Sequence, residues 1–277
     1  KIVGDDSFVV CLSDWQMGKR DGDGTKGIVE RIEQMIPDVK ARYKQLKKQG
    51  VKLSNLYVFG LGDIVEGCDG FYPMQEFTVE YDLRRQKMIA RRLLVKALTE
   101  WAPDFKNVVV ACVPGNHGEN RRNGKAFTSF GDNFDVSLFD EAQEILAMNK
   151  AYKHVKFVIP ENDLWLTLDV SGTIVGLAHG HQFRTGGKYS HQKAVAWLSG
   201  QAFGMTDVGD SDILISGHFH HLFVVNEGQR TLMQCPSLDG GSEWFENITG
   251  KSSFAGTLTF SIISGKSQLP WDNLKVL

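Results

Sequence analysis

The chain has 277 residues, 42% hydrophobic and 23% charged, with a formal net charge of −2. Such a composition belongs to an ordinary globular protein long enough to bury a core without staples. It excludes a disordered polyelectrolyte and a protein whose main role is to coat nucleic acid. Cys11, Cys68, Cys112 and Cys235 are widely spaced with no Cys-x-x-Cys pair, so all four are expected as free thiols, which suits a cytoplasmic location. No stretch reaches the roughly 18 to 20 apolar residues of a membrane span. No signal peptide is legible, although the chain opens on Lys1 rather than Met.

Residues 7–14 form an apolar run that ends in a polar turn, the pattern of a buried strand. The Asp- and Gly-rich stretch 19–27 lacks the alternating ligands of a calcium loop and is expected as a solvated loop. Helical spacing follows over 28–48, through Ile32, Met35, Ile36, Val39, Tyr43 and Leu46, and stops at Gly50. Residues 56–63 read as a second strand ending Gly62-Asp63, and about 79–101 as a long helix. The arginines of that helix, Arg84, Arg85, Arg91 and Arg92, are expected to form a solvated face. A third strand over 108–113 runs into Pro114-Gly-Asn-His117. A polar segment and a helix over 134–148 follow.

The second half is denser in strands: 155–159, 165–170 and 173–178, the last ending His179-Gly-His181. A helix over 190–203 precedes the apolar run 213–216 and Gly217-His-Phe-His220. Three strands complete the chain, at 222–226, 231–235 and 256–263. Helices between strands early and dense strands late predict an α/β fold, a layered sandwich of two mixed β-sheets flanked by helices. No linker or repeat is visible, and one domain over 1–277 is expected.

Several apolar runs end in groups that bind metals: Asp14-Trp15-Gln16, Gly62-Asp63, Gly115-Asn116-His117, His179 and Gly217-His218-Phe219-His220. Counting His181 and His221, which lie within two residues of them, six of the eight histidines fall at these strand-end motifs. Functional groups gather beyond the carboxyl ends of strands in open α/β sheets. Neutral imidazole is the commonest side-chain metal ligand. A mixture of Asp, Asn and His suits manganese, iron or zinc better than calcium.

In this order the motifs resemble those of the calcineurin-like metallophosphoesterases: Asp-x-His, Gly-Asp-x-x-Asp/Glu, Gly-Asn-His-Asp/Glu, His-Gly and Gly-His-x-His. Here they stand as Asp14-Trp15-Gln16, Gly62-Asp63-Ile64-Val65-Glu66, Gly115-Asn116-His117-Gly118, His179-Gly180 and Gly217-His218-Phe219-His220. The resemblance implies the calcineurin-like phosphoesterase fold and two divalent ions, with manganese favoured over iron or zinc, bridged by Asp63. One ion would be held by Asp14, Gln16 and His220, the other by Asn116, His179 and His218. His117 would contact the phosphate and protonate the leaving oxygen. His181 and His221 match no ligand position. Two positions depart from the pattern. Gln16 stands where the family has His. Gly118 stands where it has an acid, which leaves Glu119, or no residue, to orient His117.

The implied activity is hydrolysis of phosphodiesters on a nucleotide or nucleic acid. The alternatives are a DNA or RNA exonuclease similar to the Mre/SbcD type and a catalytically silent scaffold subunit of the same fold. Arg121 and Arg122, with Lys125, follow the third motif and could reach a substrate phosphate or form a solvated loop. Arg184, Lys188 and His191 follow the fourth with the same two readings. Trp15 could stack a base or simply pack. No membrane partner is expected.

Overall fold

The computed structural model describes residues 5–241, 247, 253–265 and 268–277. Period-2 alternation in the first strand sets the layering. In β1 (Asp6–Leu12), Phe8, Val10 and Leu12 point to one side and Val9 and Cys11 to the other, and all five are buried. A strand apolar on both faces needs cover on both sides. Here helices supply one layer and a second sheet the other.

The larger sheet has six strands in the order β13 (Trp271–Val276), β12 (Leu258–Ile262), β1, β2 (Leu53–Gly60), β3 (Asn107–Cys112) and β6 (Val155–Val158). Strands β1, β2, β3 and β6 are parallel, whereas β12 is antiparallel to both β1 and β13. Its outer face packs on α1 (Gly24–Lys48), α2 (Leu83–Trp101) and α3 (Phe134–Ala147), through Tyr43, Leu94, Trp101 and Phe139 among others. Its inner face meets the second sheet, ordered β10 (Phe223–Glu227), β11 (Arg230–Gln234), β9 (Ile213–Ser216), β8 (Thr173–Ala178) and β7 (Trp165–Val170). Tyr57 and Phe59 from one side and Leu177, Ile215 and Met233 from the other fill that space. The last layer is α4 (Ser190–Phe203), which buries Ala194 and Leu198 on Leu214 and Leu232. The architecture is the layered pair of mixed sheets expected from the element order.

Three features correct the sequence reading. The stretch 19–27 is not a solvated loop throughout, because α1 already starts at Gly24 and buries Gly24, Thr25 and Gly27. The apolar period begins only at Ile28. The first turn is secured instead by polar contacts, with Glu80 Oε2 accepting from the Thr25 N–H at 2.8 Å. Helix α2 begins at Leu83 rather than 79, where the Asp82 carboxylate caps it by accepting from the Arg85 N–H at 2.9 Å. Its basic face is only partly solvated, since Glu141 on α3 ties down Arg91 at 2.8 Å and Lys87 at 2.9 Å. Two pairings went unread: the short hairpin of β4 (Arg121–Arg122) with β5 (Lys125–Ala126), and the edge strand β13, whose polar interruptions mask its alternation.

All four cysteines are free thiols. Among the described residues no helix is long and apolar enough to cross a membrane.

Candidate metal centre

Five loops converge where strands of both sheets end. Asp14 and Gln16 follow β1, Asp63 follows β2, and Asn116 and His117 follow β3. His179 follows β8, while His218 and His220 follow β9. The first three strands run parallel to one another, as do the last two, so each set of carboxyl ends emerges together. The backbone here is unusual. Asp14, Gln16, Asp63, His218 and His220 all have φ between 44° and 70°, and they make up five of the ten positive-φ non-glycine residues described. A side chain in the left-handed region costs of order 1 kcal/mol or more, and such strain clusters at functional sites.

Asp63, His179 and His218 each place a donor atom within 4.8 Å of the other two. His179 Nε2 lies 2.9 Å from Asp63 Oδ2 and 3.1 Å from Asn116 Oδ1. The other nitrogen of that ring, Nδ1, donates to the Leu61 carbonyl at 2.6 Å, which fixes the tautomer and turns Nε2 into the site, as metal-ligating histidines require. Burial, with the nearby His179, pushes His218 down to about 4, leaving it neutral and able to ligate.

A second group lies beside the first. His220 Nε2 is 3.2 Å from Asp14 Oδ1, and its Nδ1 is 3.5 Å from Asp239 Oδ2. Asp239 also pairs with Lys19. The Asp14 carboxylate accepts from the His218 N–H at 3.0 Å and from the Ser13 hydroxyl. Gln16 is buried, and its Oε1 has no hydrogen-bond partner. A buried amide oxygen without a donor costs about 1 to 3 kcal/mol, which a cation would relieve. Burial opposes charge on His179 and His220, yet the adjoining carboxylates outweigh it: Asp63 lifts His179 to about 9, and Asp14 and Asp239 lift His220 to about 10. Protons on these imidazoles balance the buried carboxylates where divalent cations would do the same. The donor set therefore fits divalent metal.

His117 sits at the edge of this cluster. Its N–H donates to Asp63 Oδ1 at 2.8 Å, and its Nε2 lies 3.5 Å from Gln16 Nε2. Its Nδ1 faces the Glu66 carbonyl at 2.9 Å and the Glu66 carboxylate at 3.4 Å. Burial works against protonation, but Asp63 and Glu66 lift His117 to about 9. Glu119, one of the two outcomes left open for orienting this ring, pairs instead with Arg121 at 2.5 Å. Space explains the Gly118 departure, since a Cβ there would fall 2.4 Å from Asn133 Oδ1 and 2.7 Å from Asp135 Oδ2.

Asp135 is a site residue that the sequence reading missed. It is buried in the first turn of α3. Its Oδ2 accepts from the N–H groups of Asp63 at 2.8 Å and Gly115 at 3.2 Å, and its Oδ1 from Ile64 at 2.9 Å and Val65 at 3.1 Å. Burial and the neighbouring Asp63 push its carboxyl up to about 6. In sequence it is one more Asp near a helix start. Asp239 is equally silent there, far along the chain from the His220 it holds.

The remaining candidates scatter. Arg121 is tethered by Glu119 and by the Gly124 carbonyl at 3.1 Å, with its guanidinium 5.0 Å from the Phe71 ring. Arg122 and Lys125 are exposed on the hairpin, as are Arg184 and Lys188 on their loop. His191 stacks on Phe223 at 4.6 Å. Trp15 is fully buried, which makes it core packing and not a base platform. His221 is exposed, with its Nδ1 against the Phe219 carbonyl at 2.8 Å. The His181 ring stands 5.5 Å from that of His179, and burial keeps it neutral, down to about 3.

A comparison with curated protein sequences returned no match. Among solved structures, an archaeal phosphodiesterase is 11% identical with a TM-score of 0.37, over 98% of this chain and 99% of that one. Vacuolar protein sorting 29 from Cryptosporidium parvum is 13% identical with a TM-score of 0.38, over 99% and 98%. A conserved uncharacterized protein of Streptococcus pneumoniae, a predicted phosphoesterase, is 12% identical with a TM-score of 0.37, over 94% and 85%. The family model for calcineurin-like phosphoesterases matches residues 9–222, a span holding all five converging loops, and on that match the chain belongs to the calcineurin-like phosphoesterase family.

Proposed function

We propose that the protein is a phosphodiester hydrolase working with two divalent ions, manganese first among them. The observation that supports this reading is the cluster itself: donor atoms of Asp63, His179 and His218 lie within 4.8 Å of one another, Asn116 adjoins His179, Asp14 pairs with His220, and the buried Gln16 carries an amide oxygen with no donor. Asp14, Gln16 and His220 would hold one ion, Asn116, His179 and His218 the other, and Asp63 would serve both. Bound divalent ions supply Lewis acidity, polarising phosphoryl oxygens and lowering the pKa of water from about 15.7 toward about 7.

The chain's own groups do the rest. His117 keeps a proton on the ring because Glu66 and Asp63 stabilise the imidazolium, and Nδ1 is held by Glu66. Nε2 is left facing the ligand cluster, placed to give its proton to a departing alkoxide. A ligand set that matches the family pattern at every position but Gln16 argues for catalysis over a silent scaffold. The exposed Arg122 and Lys125 on the β4–β5 hairpin would suit an extended polyanion, the exonuclease form of the same chemistry.

Purified protein supplied with manganese should hydrolyse bis-p-nitrophenyl phosphate. Turnover no faster than buffer with manganese, iron and zinc alike would overturn the hydrolase reading. Degradation of single-stranded DNA or RNA in the same assay would select the exonuclease form.

A further inference from the structure

Beside the ligand cluster, the segment between β2 and α2 and the β4–β5 hairpin form a wall over His117. The ring of Phe71 lies against the His117 imidazole, with centroids 4.2 Å apart and planes tilted by 41°. Phe71 nevertheless stays 36% exposed, an aromatic ring fixed at the mouth of a polar site.

Contacts from two segments hold it in place. The Phe71 N–H donates to Gln75 Oε1 at 3.0 Å, and the buried Gln75 amide in turn donates to the Glu66 carbonyl at 2.9 Å. That carbonyl also meets His117 Nδ1, so ring and imidazole share one anchor. The neighbouring Tyr72 hydroxyl donates to Glu66 Oε1 at 2.9 Å. The Arg121 guanidinium lies 5.0 Å from the Phe71 centroid and is itself clamped by Glu119 and Gly124. Backbones touch there as well, because a Cβ on Gly70 would fall 2.6 Å from the Gly124 Cα. A preorganised ring pays little entropy when a second ring stacks on it.

Resting on the hydrolase reading, we propose that Phe71, steadied by Arg121, is the binding platform for the leaving group, and that it selects a phosphoester whose leaving group carries a planar aromatic ring, a nucleoside above all. If His117 gives the proton, the leaving oxygen lies beside His117, and the group attached to that oxygen departs along the face that Phe71 covers. Stacking on an aromatic side chain is tolerant of base identity, so the platform would read the presence of a base and not its sequence.

Calorimetric titration of the manganese-loaded protein with AMP and with ribose 5-phosphate isolates the base. Wild type should bind AMP about tenfold or more tighter. Phe71→Ala should bring the two affinities together by weakening AMP alone, and Phe71→Trp should keep the preference. Retained binding of ribose 5-phosphate by Phe71→Ala shows that the variant is folded and its phosphate site intact. Equal affinities in wild type, no binding of either ligand, a preference surviving Phe71→Ala, or equal weakening of both ligands would overturn the proposal. The last result would mark Phe71 as a shield for His117 only. The hydrolase reading fails separately, on absent diester turnover, whatever the titrations give.

Discussion

At the residue scale, two imidazoles in similar surroundings are anchored in different ways. His179 is turned by a backbone carbonyl so that Nε2 joins Asp63 and Asn116, whereas His117 is held at Nδ1 by Glu66 and offers Nε2 from the rim. On the proposed mechanism, His117→Ala removes the proton donor and leaves the backbone N–H that bonds Asp63 in place. Turnover should fall by about 10²- to 10⁴-fold, the range of general acid catalysis, while metal per protein stays unchanged by elemental analysis. Loss of the metals together with turnover would place His117 among the ligands. Gly118 belongs to this scale too: the acid that usually follows the motif histidine has no room here, because Asn133 and Asp135 occupy its space.

At the scale of elements, the site is a junction between loops, and α3 fastens it. One Asp135 carboxylate accepts from four backbone N–H groups on the loops after β2 and β3. Those donors are buried and cannot all find water once the acceptor is gone. A buried donor left unsatisfied costs about 1 to 3 kcal/mol, so Asp135→Ala should destabilise by about 3 kcal/mol or more. The urea midpoint should drop with little change in slope. Asp135→Asn keeps one accepting oxygen but turns an NH₂ toward two N–H donors, and an intermediate loss is expected. An unchanged midpoint in both variants would show that the loops hold themselves.

For the whole molecule, the layered packing brings five loops from two sheets into one cluster rich in buried charge. Cations that bind the folded chain and not the unfolded one stabilise it by mass action, about 2.7 kcal/mol at a hundredfold excess over Kd. Chelation by EDTA should therefore lower the melting temperature by several degrees, given about 2 to 4 °C per kcal/mol for a chain of this size. Added manganese should restore it. A melting temperature indifferent to both would mean that the cluster holds no ion tightly.

Much was legible in the chain itself. Apolar runs ending in Gly-Asp, Gly-Asn-His and Gly-His-x-His mark both the strands and the residues gathered at their ends, because a strand buried on both faces must be apolar and its polar end must lie where the sheet stops. The helical period likewise located α1, α3 and α4 to within a few residues. What lay beyond the sequence is everything that depends on partners distant along the chain. Asp135 and Asp239 look like ordinary loop and cap residues until folding brings them to Asp63 and His220. The sequence left Glu119, or no residue, to orient His117; tertiary packing pairs Glu119 with Arg121 and gives His117 to Glu66. Trp15 stands between Asp14 and Gln16 and is core. Local pattern determines which residues leave the sheet and in what order. Which of them touch is decided by the closure of loops from two sheets, and that depends on long-range packing no short motif encodes.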